Sequence, residues 1–485
     1  MPRRRLLALC AAAAALLIAV IAAPELAFAH GGGTGRQTLP IPKWLFGWAA
    51  SIVLIVSFVG LAVLWQRPRL EERAERRLST VPRLLDPICG AVGLGLFVLV
   101  VYAGLAGSQE SASNIADTFI FYAPFWVALV PASVLFGDVF KAFNPWRAFA
   151  RGVAWIATKV SRDRLPAPLP YSTRLGHWPA AATILAFVWV ELVYDGATDP
   201  SKLAVLALAY AALQLIGMSL YGIESWSRYG DGFSVYFGLF ARISPLRWER
   251  GALFARPPLS GLTPLLIVPG TVALLCTMIG TTAFDGFSEG PTWQTIQPEI
   301  IKALLGIGLG QTSAINLADT VGLVAVVLIV GGLYVLGVAG MRRDTHVGLS
   351  TRRLGGRFAH SLVPIACAYV LAHYFSALVD NTQELVFKAS DPLGTMDSAL
   401  PGEGTNLFGT AGKDPDYNLI SANAIWYVQV GALVLGHVAG LILAHDRALV
   451  TFRDLHAATR SQYWMLAVMI TFTSLGLWLL SESSS

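Results

Sequence analysis

Long apolar stretches separated by short polar ones set the rhythm of this chain. A helix of roughly 20 apolar residues crosses the ~30 Å hydrocarbon core of a bilayer. Stretches of that kind recur at about 45–65, 88–107, 119–136, 179–194, 203–221, 262–282, 321–340, 361–379, 424–443 and 463–480. The pattern therefore predicts ten membrane-spanning helices. Residues 301–310 are too short and Gly-rich to cross and read as re-entrant or interfacial. The connectors alternate in character. Residues 67–83 carry six arginines, 137–178 carry Lys141, Arg147, Arg151, Lys159, Arg162, Arg164 and Arg174, and further arginines follow in 228–256, 342–357 and 447–460. The connectors between these are acidic or neutral, as in DGATDP and FDGFSEGPTWQTIQPEI. Basic connectors stay cytoplasmic, so one assignment of sides places every arginine cluster inside. The expected protein is multi-pass in the cell membrane, with both mature termini extracytoplasmic. Within 145–160, Trp146, Phe149 and Trp155 alternate with basic residues as in an interfacial amphipathic helix.

Composition narrows the class. The 485 residues are 55% apolar and 13% charged, with a mean hydropathy of +0.59, more apolar surface than a soluble fold hides. The fold class expected is an all-α polytopic bundle, partnered by the lipid bilayer. A net charge of +5 then reports membrane topology rather than a nucleic-acid ligand. The four cysteines, Cys10, Cys89, Cys276 and Cys367, have no disulfide or metal spacing. Residues 1–29 have a basic start, an apolar centre and an Ala27-Phe28-Ala29 end, the layout of a cleaved signal peptide.

One polar phrase occurs twice. Residues 109–118 read QESASNIADT and 311–320 read QTSAINLADT, matching at seven of ten positions, and each precedes an apolar run. A weaker echo relates Arg174-Leu175-Gly176-His177 to Arg357-Phe358-Ala359-His360. Both suggest a parallel internal duplication of the kind found in transporters. The expected organisation is a leader at 1–29, a tether, first span and basic loop at 30–86, repeat units at 87–258 and 259–446, and a basic loop with the last span at 447–485. Asn114 and Asp117, like Asn316 and Asp319, lie three apart and share a helix face. They read either as helix caps and first-turn acids or as the lining of an extracytoplasmic vestibule for a small solute or ion.

Ionisable residues at bilayer depth are costly and mark functional sites by default. Glu191, His373 and His437 are the interior candidates. Glu191 suits proton coupling. His373 and His437 could hold a transition metal, or could hydrogen-bond between helices. Spacings of 13 residues from His360 to His373 and 8 from His437 to His445 do not match as a bis-haem pair would require. His30, as a mature N-terminus, would suit Cu²⁺. No Walker A loop, GxGxxG or HExxH is present. The GxSxG at 286–290 is expected in an acidic outer loop, the wrong context for a nucleophile elbow.

The segments AHGGG, FGDVFKAFNPWRAF, NIADT and NLADT, AHSLVPIACAYVLAHYFSAL and GHVAGLILAHDRAL resemble those of an actinobacterial-type family of uncharacterised polytopic membrane proteins, some labelled fenitrothion hydrolase. That label implies phosphotriester hydrolysis by a metal-held water, for which His373, His437 and Glu191 are the available ligands. The sequence thus supports three functions: permease-like transport of a small solute or ion with proton coupling, a membrane-embedded metal-dependent hydrolase or redox enzyme, and an accessory or assembly subunit of a membrane complex.

Overall fold

The computed structural model describes residues 43–71, 75–122, 124–160, 167–249, 251–345, 348–395, 405–452 and 454–483. The leader, Cys10, His30 and His346 lie outside them. The long helices are α1 (Lys43–Leu64), α2 (Leu85–Ala106), α5 (Pro145–Val160), α6 (Trp178–Leu192), α7 (Pro200–Tyr221), α10 (Thr271–Ser288), α11 (Pro291–Gly306), α12 (Gln311–Thr345), α14 (Leu362–Lys388), α15 (Ala422–Thr451) and α16 (Leu455–Ser483). Shorter ones are α3 (Leu129–Phe136), α4 (Val139–Phe143), α8 (Ile223–Tyr229), α9 (Gly232–Ala241) and α13 (Thr351–Phe358). Local chemistry sets several starts. Asp199 accepts from Ser201 N and Lys202 N at the head of α7, with Pro200 at its first position.

Among the described residues, eight helices are long and apolar enough to cross a membrane, and α6 and α9 are shorter apolar helices. This is an all-α bundle of membrane-spanning character. Burial sorts its helices: 78% of the α10 window is buried, against 17% for α1. Helix α10 is the hub, packed by α6, α12, α14 and α16, while α1 lies at the edge beside α15 and α16. Outward faces stay apolar, as at Leu328, Leu336 and Leu435, a surface that suits lipid. Small residues let helices touch: a Cβ on Gly93 of α2 would stand 1.8 Å from the Phe143 carbonyl oxygen.

The basic connectors meet at one end of the bundle. A small antiparallel sheet, order β1-β3-β2, pairs Arg76–Thr80 (β1) with Ala252–Ala255 (β3) and the latter with Leu246–Glu249 (β2). Arg147 reaches Asp86 at 3.4 Å and Glu224 at 3.0 Å. Arg447 reaches Glu71 at 3.0 Å, and Asp446 accepts from Trp65 Nε1 and from the Arg69 and Leu70 backbone amides.

Three details differ from the sequence expectation. Residues 119–136 are not one helix: a π turn (Thr118–Tyr122) and further turns precede the eight-residue α3, which begins just before Pro131. The apolar helix α9 stands where an inner loop was expected. The sheet was not anticipated, since its strands are short and, apart from Ala252, exposed or half-buried. The expected amphipathic helix at 145–160 is α5, with Phe149, Trp155 and Ile156 exposed.

Candidate functional site

The hub helix carries the site. Asp285 lies in the last turn of α10, facing α14, where two consecutive side chains converge on the same carboxylate oxygen. His373 Nε2 stands 2.9 Å from Asp285 Oδ2, and the Tyr374 hydroxyl donates to that oxygen at 2.5 Å. Gly286 makes room for the imidazole, because a Cβ there would already lie 3.3 Å from His373 Nδ1. From α6, Glu191 interacts electrostatically with Asp285, and its Oε2 is buried without a hydrogen-bond partner among the described residues. From α9, the Tyr236 hydroxyl is likewise buried and unpartnered, its ring stacked on Trp126 at 4.7 Å. The His373 and Asp285 side chains retain 15% and 12% of their surface, so the pair is not sealed. Just beyond α10, burial and then the Asp285 charge raise the Glu289 carboxyl above its ordinary range. Together these groups can take up, hold and release a proton between helices α6, α10 and α14.

A second buried carboxylate is built differently. Asp231, at the head of α9, accepts from Asn144 Nδ2 at 3.1 Å, Trp146 Nε1 at 2.7 Å, the Tyr210 hydroxyl at 3.0 Å and Ser234 Oγ at 2.5 Å. Trp146 and Tyr210 also line an apolar cavity of about 590 Å³ with Phe125, Phe187 and Phe233.

The sequence singled out neither Asp285 nor Asp231. Asp285 was expected in an outer loop because the span was started at 262. Pro264, Pro269 and the left-handed Gly270, at φ +83°, hold the chain out of helix until Thr271, and the helix then extends through Ser288. The same shift puts most of the GxSxG inside α10, with Ser288 Oγ donating to the Asp285 carbonyl at 2.8 Å. For Asp231 the available signal was Asn144-Pro145-Trp146, whose polar side chains hold it.

Other predicted residues fall elsewhere. Asn114 caps a single helical turn (Ile115–Asp117), accepting from Ala116 N and donating to the Ala103 and Ser108 carbonyls. Asp117 accepts from the Ser111 hydroxyl and meets Lys388 Nζ at 3.5 Å. The second copy of the phrase is instead continuous helix at the start of α12, so Asp319 lies two turns in. It accepts from Trp293 Nε1 at 3.1 Å and Gln297 Nε2 at 2.6 Å. The Asn316 carbonyl accepts from Thr320 Oγ1. The two aspartates therefore share no partner. His437 Nδ1 bonds the Leu433 carbonyl at 2.8 Å and its ring lies 6.1 Å from Tyr369, so His373 and His437 take separate partners. Among the described residues no three His, Cys, Asp or Glu side chains gather as metal ligands.

No family model, curated protein or solved structure matches the chain. Fold and site together describe a helical bundle of membrane-spanning character with an incompletely satisfied ionisable centre on the most buried of its membrane-length helices.

Proposed function

We propose that this protein is a permease of the cell membrane that moves a small solute or ion together with protons carried by Asp285, His373 and Glu191. The observation that carries the reading is the Asp285 carboxylate, bound at one oxygen by His373 and Tyr374, together with a buried Glu191 oxygen that has no hydrogen-bond partner among the described residues. A merely structural group at this depth would be expected to be fully hydrogen-bonded. A carboxylate that must alternately bind and release a proton needs spare capacity, which this cluster has. Asn114, Asp117, Asn316 and Asp319 would then shape the extracytoplasmic approach. The basic end faces the cytoplasm in this proposal, and α1 begins and α16 ends at the opposite face.

The test is reconstitution in liposomes loaded with a pH-sensitive dye, with inward gradients of small cations, anions and neutral solutes applied in turn. At least one gradient should move protons in wild-type vesicles and fail to do so with Asp285→Asn. Proton-independent solute uptake by both proteins would overturn the coupling.

A further inference from the structure

At the basic end a cavity of about 1130 Å³ opens between the loop before α10, the start of α6 and helix α13. The loop is pinned to α6: His177 N donates to the Pro269 carbonyl at 2.7 Å, and His177 Nδ1 meets Thr271 Oγ1 at 3.0 Å. One wall is apolar, with Leu265, Ile267 and the half-exposed Trp178. The other carries Arg352, Arg353 and Arg357 from α13 and Arg447 from α15.

The arginines are not equivalent. Arg447 is committed to Glu71 and to the Thr263 carbonyl. Arg352, Arg353 and Arg357 are exposed and engage no carboxylate among the described residues. Arginines kept only for membrane orientation can stand on any cytoplasmic surface, as Arg342, Arg343 and Arg460 do outside this cavity. Three guanidinium groups without a carboxylate partner among the described residues, along a concave wall that faces an apolar wall with a tryptophan at its edge, match a ligand with an anionic head and an apolar tail. Guanidinium forks bind phosphate oxygens in pairs, and basic pockets between helices on the cytoplasmic side hold anionic headgroups.

We propose that this cavity binds the headgroup of an anionic phospholipid. The phosphodiester lies against Arg352, Arg353 and Arg357, and the acyl chains run past Leu265 and Ile267. The site is separate from the Asp285 cluster and does not depend on the transport reading.

Native mass spectrometry of the full chain in detergent tests it, with phosphatidylglycerol, phosphatidylcholine and inorganic phosphate as probes. Phosphatidylglycerol should be retained at least tenfold more strongly than phosphatidylcholine. The triple variant Arg352→Gln, Arg353→Gln, Arg357→Gln should lose that preference while keeping its circular dichroism spectrum. The control triple Arg342→Gln, Arg343→Gln, Arg460→Gln should keep the preference. Equal losses in both triples would reduce the effect to diffuse charge and overturn the site. So would equal retention of the two lipids, and inorganic phosphate binding as tightly as phosphatidylglycerol would assign the cavity to a soluble anion instead.

Discussion

Asp231 and Asp285 are both carboxylates buried among helices, and they are treated in opposite ways. Asp231 accepts four hydrogen bonds from neutral donors on three chain segments. Asp285 is approached at one oxygen by a titratable His373 and by Tyr374, and feels the charge of Glu191, whose Oε2 has no hydrogen-bond partner among the described residues. A carboxylate saturated with fixed donors stays in one state and fixes its surroundings. One whose partners are themselves titratable or unsatisfied can change state. On the proposed reading, it is the completeness of their hydrogen bonding, and not the number of buried acids, that separates a structural carboxylate from a working one.

Removing the saturated acid should have the largest effect. Asp231→Ala takes the acceptor away from the Trp146, Tyr210 and Ser234 donors, while Asn144 Nδ2 keeps Ser234 Oγ at 3.0 Å. Each orphaned polar group costs about 1–3 kcal/mol, so a loss of about 4 kcal/mol is expected by thermal unfolding in detergent. Transport per folded molecule should be unchanged. A variant as stable as wild type would show that the network contributes little and would break the contrast.

Acid lability must next be separated from acid-driven chemistry. Burial lowers the His177 imidazole from 6.5 to about 4, with the nearby Arg242 charge adding to the shift. Because the folded value is depressed, the neutral ring's contribution is complete above pH 6.5 and is lost as pH falls from 6.5 toward 4. In that window the unfolded chain binds a proton that the folded one does not. About 3 kcal/mol is at stake. His177→Asn should flatten the stability profile between pH 4 and 6.5 while leaving the pH dependence of proton movement as it was. If both profiles changed together, the transport pH dependence would be a folding effect and not a property of the Asp285 cluster.

Although 119–136 broke into turns and a short helix, the all-α bundle and most of its long apolar helices were legible because hydropathy is a local property of the chain. The carboxylate networks were not, because they join residues far apart: 87 positions separate Asn144 from Asp231, and 88 separate Asp285 from His373. Glu191 and His373 could be nominated from bilayer depth alone. Asp285 could not, since its depth depends on where α10 begins, and Pro269-Gly270 moved that start nine residues past the hydropathy boundary. The repeated phrase shows the opposite limit. Nearly identical residues form a cap and turn at 109–118 but open helix at 311–320, because Asn114 is held by the Ala103 and Ser108 carbonyls while the second copy leads straight into α12.

In the comparison, Asp285→Asn can keep a carbonyl oxygen where Oδ2 stands, accepting from Tyr374 and from a neutral His373 protonated at Nε2. Its stability should fall less than that of Asp231→Ala, while proton-coupled flux falls about 100-fold, equivalent to about 2.7 kcal/mol. Stability and flux falling together would place Asp285 with Asp231 as a structural acid.

Glu191→Gln should give the smallest change in stability and separates the two clusters most finely. Glu191 holds a buried oxygen with no donor opposite it, so replacing its ionisable carboxyl by a neutral amide removes the cost of charging that site and should stabilise the fold by about 1 kcal/mol. A gain in stability paired with loss of coupling is the expected trade where a strained ionisable group serves function. Solute exchange between equal concentrations on both sides, which needs no net proton movement, should persist in this variant when the gradient-driven flux is gone. Unchanged stability with intact coupling would mean that the unpartnered oxygen belongs to a permanently neutral side chain. The proton would then have to reside on Asp285 and His373 alone.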